Sequence, residues 1–222
     1  MHARVLEPEW LDELPPQDPR AIRSRADLRR VNGFMGNARL IAGPLRLHLK
    51  EGARIADLGS GDGHLMLRIA ERLRRPGIEL SLVDRAPVVS EATLARFKQL
   101  GWRVRVVSRD ALAFLRETET DVIVANLFLH HLPASALREL FAAVARSARM
   151  LVACEPRRSR LALAGCHLLW LIGCNDVTRH DSLVSVRAGF GDGELSALWP
   201  SGWTLEERNA PPFSHLFVAR AR

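Results

Sequence analysis

The 222-residue chain contains no tyrosine, only two lysines among its 32 basic residues, and three cysteines. The missing tyrosine excludes a phenolic side chain as a catalytic base. Cys154, Cys166 and Cys174 are odd in number and lack the short paired spacing of a disulfide framework or a zinc site. The N-terminus also lacks an apolar signal region. Together these absences favour a reduced, cytoplasmic protein.

Long hydrophobic runs are absent as well. The most apolar stretch covers residues 161–174, and its 14 residues fall short of the roughly 20 that a membrane-spanning helix needs. This stretch therefore predicts a buried or cavity-lining helix, and no membrane span. A surface that touches a membrane or a greasy substrate is the alternative.

Positive charge dominates, with a formal net charge of +7, which taken alone would suit nucleic acid or an anionic membrane surface. However, nearly all the basic residues are arginine, a skew typical of a proteome's codon usage, and most are scattered along the chain. Two small clusters stand out: Arg20, Arg23, Arg25, Arg29 and Arg30 in one, and Arg157, Arg158 and Arg160 in the other. We therefore do not expect nucleic acid as the partner.

Periodic patterns predict one α/β domain. From residue 53, apolar stretches typical of strands alternate with helical patterns, which predicts a parallel sheet. The predicted strands are 53–58, 79–84, 103–108, 121–126 and 150–155, and the predicted helices are 62–74, 88–100, 111–116, 133–145 and 159–172. Two further strands, 203–208 and 214–219, are joined by a link too short for a parallel crossover, so we expect the last strand to run antiparallel.

The N-terminal part has a different pattern. Residues 1–18 are rich in proline and mixed in charge, which predicts an arm rather than a packed element. Two helices follow, with a break predicted near Asn32 and Gly33. We expect residues 1–48 to form an arm and helical cap, and residues 49–222 to form the main domain with an insertion around 157–199.

A glycine-rich loop follows the first strand of the main domain. In residues 57–63, glycines alternate with polar residues directly before a helical pattern. A strand, a glycine turn and a helix N-terminus place backbone N–H groups at the carboxyl end of a sheet, where they bind ligands. The dinucleotide fingerprint would need a third glycine where this chain has His64. The spacing therefore argues against a nicotinamide cofactor.

The sequence Asp57-Leu58-Gly59-Ser60-Gly61-Asp62-Gly63 resembles motif I of the class I S-adenosylmethionine (SAM) dependent methyltransferases. Polar residues at the ends of three later strands, Asp84, Asp110 and Asn126, strengthen the resemblance. It implies a Rossmann-like three-layer sandwich with a seven-stranded, mostly parallel sheet whose last strand is antiparallel. It also implies SAM as the cofactor and S-adenosylhomocysteine as the product.

The resemblance implies positions for the parts of the cofactor. The loop residues Asp57, Gly59, Ser60 and Gly61 would surround its methionine end, with Asp57 either at the ammonium group or bonded to the loop backbone. Asp84, with Arg85 beside it, would hold the ribose hydroxyls. Asp110 would accept from the adenine amine while Ala111 offers its backbone N–H, and Asn126 and Leu127 would lie beside the methyl group.

Methyl transfer draws mainly on orientation and desolvation, so few catalytic side chains are needed. A hydroxyl acceptor benefits from a base, and histidine is the usual one. The candidates are His130 and His131 after the fourth strand, which cannot easily both face one pocket, and His180 in the stretch 175–190, where the family carries a substrate lid. Glu155 is interpreted as a helix cap in preference to a pocket residue. No metal site is expected.

The residues after the fourth strand indicate which class of methyl acceptor to expect. Asn126-Leu127-Phe128-Leu129 departs from the Asn/Asp-Pro-Pro-aromatic motif of methyltransferases that act on nucleobases or glutamine. We therefore predict methylation of oxygen or carbon on a small acceptor, of aromatic, polyketide or quinone type. An RNA methyltransferase and a catalytically inactive SAM-binding interaction subunit are the alternatives.

Overall fold

The computed structural model describes residues 3–222, which form a seven-stranded sheet with helices on both faces. The strands are β1 (Arg54–Leu58), β2 (Glu79–Asp84), β3 (Arg103–Ser108), β4 (Val122–Asn126), β5 (Met150–Pro156), β6 (Trp203–Ala210) and β7 (Ser214–Ala221). The helices are α1 (Trp10–Glu13), α2 (Pro19–Met35), α3 (Asn37–His48), α4 (His64–Leu73), α5 (Glu91–Gln99), α6 (Ala111–Glu117), α7 (Ala134–Ser147), α8 (Arg160–His167) and α9 (Asp176–Ala188). Three short 3-10 turns cover Leu129–His131, Leu169–Ile172 and Ser196–Leu198.

The strand order is β3-β2-β1-β4-β5-β7-β6. Strands β1 to β5 pair in parallel, and β7 runs antiparallel between β5 and β6. The predicted Rossmann-like fold with a reversed last strand is therefore confirmed. Because the order reverses between β1 and β4, the carboxyl ends of these two strands flank a crevice, which is where open α/β sheets bind ligands.

The core lies on both faces of the sheet, as alternation along the strands requires. Along β5, Val152 and Cys154 belong to the core cluster that contains residues of α3, α4 and α5, whereas Leu151 and Ala153 belong to the cluster that contains residues of α6 and α7. All four side chains are fully buried. A sheet covered on both sides agrees with the three-layer sandwich that the family resemblance implies.

The break between the first two long helices falls at Gly36, not at the predicted Asn32 and Gly33. Gly36 adopts the left-handed conformation with φ of +71°, and its N–H closes the end of α2 on the carbonyls of Asn32 and Gly33. A left-handed residue ends a helix, whereas Gly33 stays helical. The glycine and asparagine pair therefore indicated the right region and the wrong residue.

The N-terminal arm is packed, contrary to the expectation for residues 1–18. The Val5 N–H donates to the Arg187 carbonyl at 3.2 Å. The Trp10 and Leu11 N–H groups both donate to the Asp181 carboxylate, at 2.9 and 3.0 Å. This carboxylate supplies α1 with the cap that its own sequence lacks. Residues 1 and 2 lie outside the described part of the chain.

Candidate active site

The glycine loop connects β1 to α4 with three left-handed glycines. Gly59, Gly61 and Gly63 have φ angles of +72°, +52° and +71°, a region that only glycine enters without strain. A Cβ on Gly59 would lie 2.6 Å from the Phe128 ring, whereas a Cβ on Gly61 would meet open space. The loop therefore packs against the β4 segment on one side and leaves its backbone accessible at Gly61.

Two polar side chains at this loop lack partners. The Asp57 carboxylate is buried and accepts no hydrogen bond from residues 3–222. Burial, together with the charges of Asp84 and Asp62, raises its pKa well above the usual range. The Ser60 hydroxyl is also buried without a hydrogen-bond partner among these residues. A cationic ammonium beside Asp57 and an acceptor beside Ser60 would satisfy both groups, so this pocket fits the methionine end of SAM.

Asp84 ends β2 and already orders the loop. Its Oδ2 accepts from the Gly61 N–H at 2.8 Å, and its Oδ1 accepts from the Ala86 N–H at 2.9 Å. Each carboxylate oxygen has a second lone pair. The side chain can therefore hold the loop and still accept from the vicinal hydroxyls of a ribose.

Asp110 is the N-cap of α6. Its Oδ1 accepts from the Leu112 and Ala113 N–H groups, at 2.9 and 3.1 Å. Its Oδ2 accepts from Arg85 at 2.7 Å, and this hydrogen bond is the main cause of the lowered pKa of Asp110. The geometry brings Arg85 and Asp110 together, and leaves the N–H of Ala111, at the first turn of α6, without an intrahelical partner. The adenine positions predicted for Asp110 and Ala111 thus stay predictions.

Asn126, at the end of β4, belongs to an asparagine network that the sequence analysis missed. Asn37 donates to both Asn126 and Asn32, at 2.9 and 2.8 Å, and Asn126 donates to Asn32 at 3.2 Å. The Ser214 hydroxyl donates to Asn37 at 2.8 Å. The network joins α2, α3 and β7 to the β4 terminus. The only sequence signal was the asparagines at a helix break, which is more often a turn feature.

The chain turns sharply after Asn126. Leu127 has a φ of +51° and donates its N–H to the Cys154 carbonyl at 3.0 Å. The fully buried Glu155 carboxylate accepts from the N–H groups of Phe128, Leu129 and His130, at 3.0, 2.9 and 3.3 Å. Glu155 therefore caps the 3-10 turn Leu129–His131, in agreement with its interpretation as a cap.

His130 lies buried between two carboxylates. Its Nδ1 is 2.8 Å from Glu155 and its Nε2 is 3.3 Å from Glu9. Burial opposes the charged ring, but the hydrogen bonds to Glu155 and Glu9 outweigh it and raise the pKa of His130 to about 9. At neutral pH the ring is an imidazolium that donates on both sides. It is therefore not a free base in this arrangement.

His131 lies next to His130, with the two ring centroids 4.2 Å apart. Its Nδ1 is 3.8 Å from the Asp12 carboxylate. Glu9, His130 and His131 each carry one potential metal-ligand atom, and these atoms lie within 4.8 Å of one another. Both ring nitrogens of His130 are held by carboxylates, so a metal would have to displace a proton there.

His180 is placed away from the other two histidines, on α9. Its Nδ1 is 2.9 Å from the Asp181 carboxylate, and its ring stacks on Trp10 at 3.8 Å between centroids. The imidazole of His180 is therefore held against a carboxylate. The Asp181 carboxylate also caps α1, so it serves the N-terminal arm as well as the imidazole.

A cavity of about 270 Å³ lies between α2, α8 and α9, at the carboxyl ends of β4 and β5. Its wall is mostly apolar, and the three candidate histidines are not part of it. Representative lining residues are Leu28, Phe34, Leu127, Ala162, Leu169 and Phe213. Two carboxylates also line it, those of Glu9 and Asp181. Leu127, which is predicted to lie beside the methyl group of the cofactor, therefore also lines the apolar cavity.

Glu9 was missed by the sequence analysis, which assigned it to an unpacked arm. Its Oε1 accepts from His130 and from the Ser185 hydroxyl. Burial opposes its ionisation, but the His130 and Ser185 hydrogen bonds lower its pKa. Its Oε2 accepts no hydrogen bond from residues 3–222. The cavity wall therefore carries an ionised carboxylate with one free oxygen.

Residues 55–150 match the model of the methyltransferase domain family. An indolepyruvate C-methyltransferase of Streptomyces griseus is 31% identical over 102 residues, which are 46% of this chain and 30% of that protein. This chain thus spans less than a third of that curated relative.

Among solved structures, the plantazolicin methyltransferase BpumL in complex with S-adenosylhomocysteine superposes with a TM-score of 0.66 at 13% identity, covering 93% of this chain and 92% of that one. The pyocyanin biosynthetic protein PhzM superposes with a TM-score of 0.60 at 19% identity, covering 96% of this chain and 61% of that one. The mitomycin 7-O-methyltransferase MmcR superposes with a TM-score of 0.58 at 20% identity, covering 95% of this chain and 60% of that one. These likenesses show the fold. Residues 55–150 thus match a methyltransferase domain, and the described chain has the fold of SAM-dependent methyltransferases.

Proposed function

We propose that the protein transfers a methyl group from SAM to an oxygen or carbon of a small, apolar acceptor of aromatic, polyketide or quinone type. The observation that carries this proposal is the apolar cavity that begins at Leu127 and holds the Glu9 carboxylate. When bound, SAM supplies an electrophilic methyl group on a sulfonium. The leaving group, S-adenosylhomocysteine, is a neutral thioether that needs no proton.

The chain's own residues would hold the cofactor from three strand ends. The buried Asp57 carboxylate and the unpartnered Ser60 hydroxyl would bind the ammonium and carboxylate of the methionine end. Asp84 would accept from the ribose hydroxyls, and Arg85 would keep Asp110 in place at the adenine side. The open space above Gly61 would admit the cofactor to the loop.

The acceptor would lie in the cavity with its reacting group toward Glu9. The free Oε2 would accept a hydrogen bond from an acceptor hydroxyl and so orient the nucleophilic atom. As the new bond to the methyl group forms, the hydroxyl becomes much more acidic, and even a carboxylate of lowered pKa can then take the proton. His130 would act indirectly, by holding Glu9 in place through a hydrogen bond. His180 would likewise contact the cavity wall only through Asp181.

The similar proteins support both oxygen and carbon as the atom that accepts the methyl group. The Streptomyces griseus relative is a C-methyltransferase, whereas MmcR is an O-methyltransferase. RNA as the substrate finds less support, because the first arginine cluster is engaged within the protein. Arg20, Arg23, Arg29 and Arg30 pair with carboxylates, and Arg25 donates to a backbone carbonyl.

The first test is calorimetric titration of wild type and Asp84→Ala with SAM and S-adenosylhomocysteine. A hydrogen bond to a charged group contributes about 1.5–3 kcal/mol, so we expect affinity to fall about tenfold to 100-fold. Asp121→Ala is the matched control, because Asp121 lies at the other end of the sheet and pairs with Arg54. Equal affinity in wild type and Asp84→Ala would contradict the assigned ribose contact.

Methyl transfer is then measured with methyl-labelled SAM against long-chain phenols, hydroquinones and total RNA. Label in the phenol or hydroquinone supports the proposal. Label in RNA alone would replace it with the RNA methyltransferase. Tight SAM binding without transfer to any acceptor would instead favour the inactive interaction subunit.

A further inference from the structure

Six large apolar side chains are exposed together around the mouth of the cavity. Leu161, Leu168, Trp170, Leu171 and Ile172 are 66, 57, 59, 60 and 51% exposed, and Phe34 on α2 is 73% exposed. We call this set the apolar face. A patch of this kind is uncommon on a soluble protein unless something covers it.

The apolar face is continuous with the interior of the cavity. Phe34, Leu168 and Ile172 belong to both, since each is exposed on the outside and lines the cavity within. Ala162, Gly165 and Cys166 line the cavity from α8, and Leu161 of the same helix is exposed. The apolar face therefore leads into the cavity over apolar side chains that the two share.

Exposed arginines without an acidic partner flank the face. Residues 157–175 contain three arginines and no acidic residue. Arg157 and Arg158 pair with Asp192 and Glu194, whereas Arg160 makes no ion pair among residues 3–222. Arg160 precedes Leu161 and is exposed, and Arg23 of α2 donates to the Gly173 carbonyl at 3.0 Å. Arg179 of α9 is exposed and makes no ion pair within the described chain. The single acidic residue of α2, Asp27, is buried, where it is neutralised by Arg23 and Arg30.

We propose that the apolar face docks onto an anionic lipid bilayer, and that the acceptor enters the cavity from this bilayer. Docking itself is independent of methyl transfer, whereas the identification of the acceptor as membrane-dissolved rests on the proposed function. The face combines an apolar centre, a tryptophan and an arginine border, as in segments that lie in the interfacial plane of a membrane. No helix in residues 3–222 is long and apolar enough to cross one.

A bilayer fits this face better than a protein partner does. Protein interfaces carry about one hydrogen bond per 100–200 Å², but between Leu161 and Ile172 the only hydrogen-bonding side chains are those of Cys166, His167 and Trp170. The Cys166 thiol is already directed to the Ser182 carbonyl. Hydrocarbon chains form no hydrogen bonds. The backbone N–H and C=O groups of this segment bond to one another within α8 and the 3-10 turn Leu169–Ile172.

The test is co-sedimentation with vesicles of phosphatidylcholine, alone or with about one third phosphatidylglycerol. We expect the wild type to bind the anionic vesicles, and to bind them less at about 1 M salt, where charges are screened beyond about 3 Å. The variant Leu168→Ser/Trp170→Ser/Leu171→Ser should bind at least about tenfold more weakly. The matched control is Leu47→Ser/Val106→Ser, because these residues are exposed away from the face.

Unchanged thermal unfolding and SAM titration show that the triple variant is folded. No binding of the wild type to anionic vesicles would overturn the proposal, as would equal binding of the triple variant. Light scattering provides a further check, since a dimer lost only in the triple variant would assign the face to self-association. Vesicle binding without methyl transfer would contradict the proposed function alone, and transfer to dissolved phenols without vesicle binding would contradict docking alone.

Discussion

Removing the buried imidazolium should change how stability depends on pH. In the folded chain the pKa of His130 is raised to about 9 by Glu155 and Glu9, from an ordinary value of 6.5. The gap corresponds to about 3 kcal/mol of folding free energy. Because the folded pKa is the higher one, this stabilisation is fully present below pH 6.5 and is lost as the pH rises through about 9.

The variant His130→Asn has no ionisable group at this position. We expect it to be less stable than wild type at about pH 6, because it leaves Glu9 and Glu155 buried without their charged partner. The difference in unfolding free energy should then shrink by about 3 kcal/mol between about pH 6 and pH 10. Titrating groups away from His130, Glu9 and Glu155 are common to both proteins and cancel in the difference.

Urea unfolding at a series of pH values measures this difference directly. His131→Asn is the matched control, because it removes the neighbouring exposed histidine and leaves both contacts of His130 in place. A difference between wild type and His130→Asn that stays constant across the range would refute the ion-paired imidazolium.

Two further substitutions test the site. Gly59→Ala would place a methyl group 2.6 Å from the Phe128 ring at a φ of +72°; it should cost about 1–3 kcal/mol and weaken SAM binding, whereas Gly33→Ala, with open space around it in α2, should stabilise by about 0.5–1 kcal/mol. Thermal unfolding and SAM titration of both variants check this, and a tolerated Gly59→Ala would contradict it. Glu9→Gln removes the charged acceptor from the cavity and should lower kcat about 100-fold for a hydroxyl acceptor with unchanged SAM affinity; an unaltered rate would exclude Glu9 as the proton acceptor.

The sequence predicted the parts of the molecule that depend on local patterns. Alternating apolar stretches and a short final link were enough to predict a parallel sheet and the antiparallel β7. The glycine loop could be placed because left-handed residues at Gly59, Gly61 and Gly63 require glycine. These features need no knowledge of distant contacts.

The acceptor side could not be predicted in the same way, because it depends on contacts between distant segments. Glu9 meets His130 across 121 positions, and Asn37 meets Ser214 across 177. A proline-rich start such as residues 1–18 normally indicates an unpacked arm. Here an aspartate on α9 caps a four-residue helix and holds the arm in place. No local pattern records this contact.

The cavity wall and the family match occupy different stretches of the chain. Apart from Leu127, every residue that lines the cavity lies before residue 36 or after residue 155, whereas the family match covers residues 55–150. Natural selection can therefore alter the choice of acceptor by changing the flanking segments while the central stretch keeps its cofactor chemistry. The same division allows a protein engineer to exchange the flanks between relatives as two cassettes.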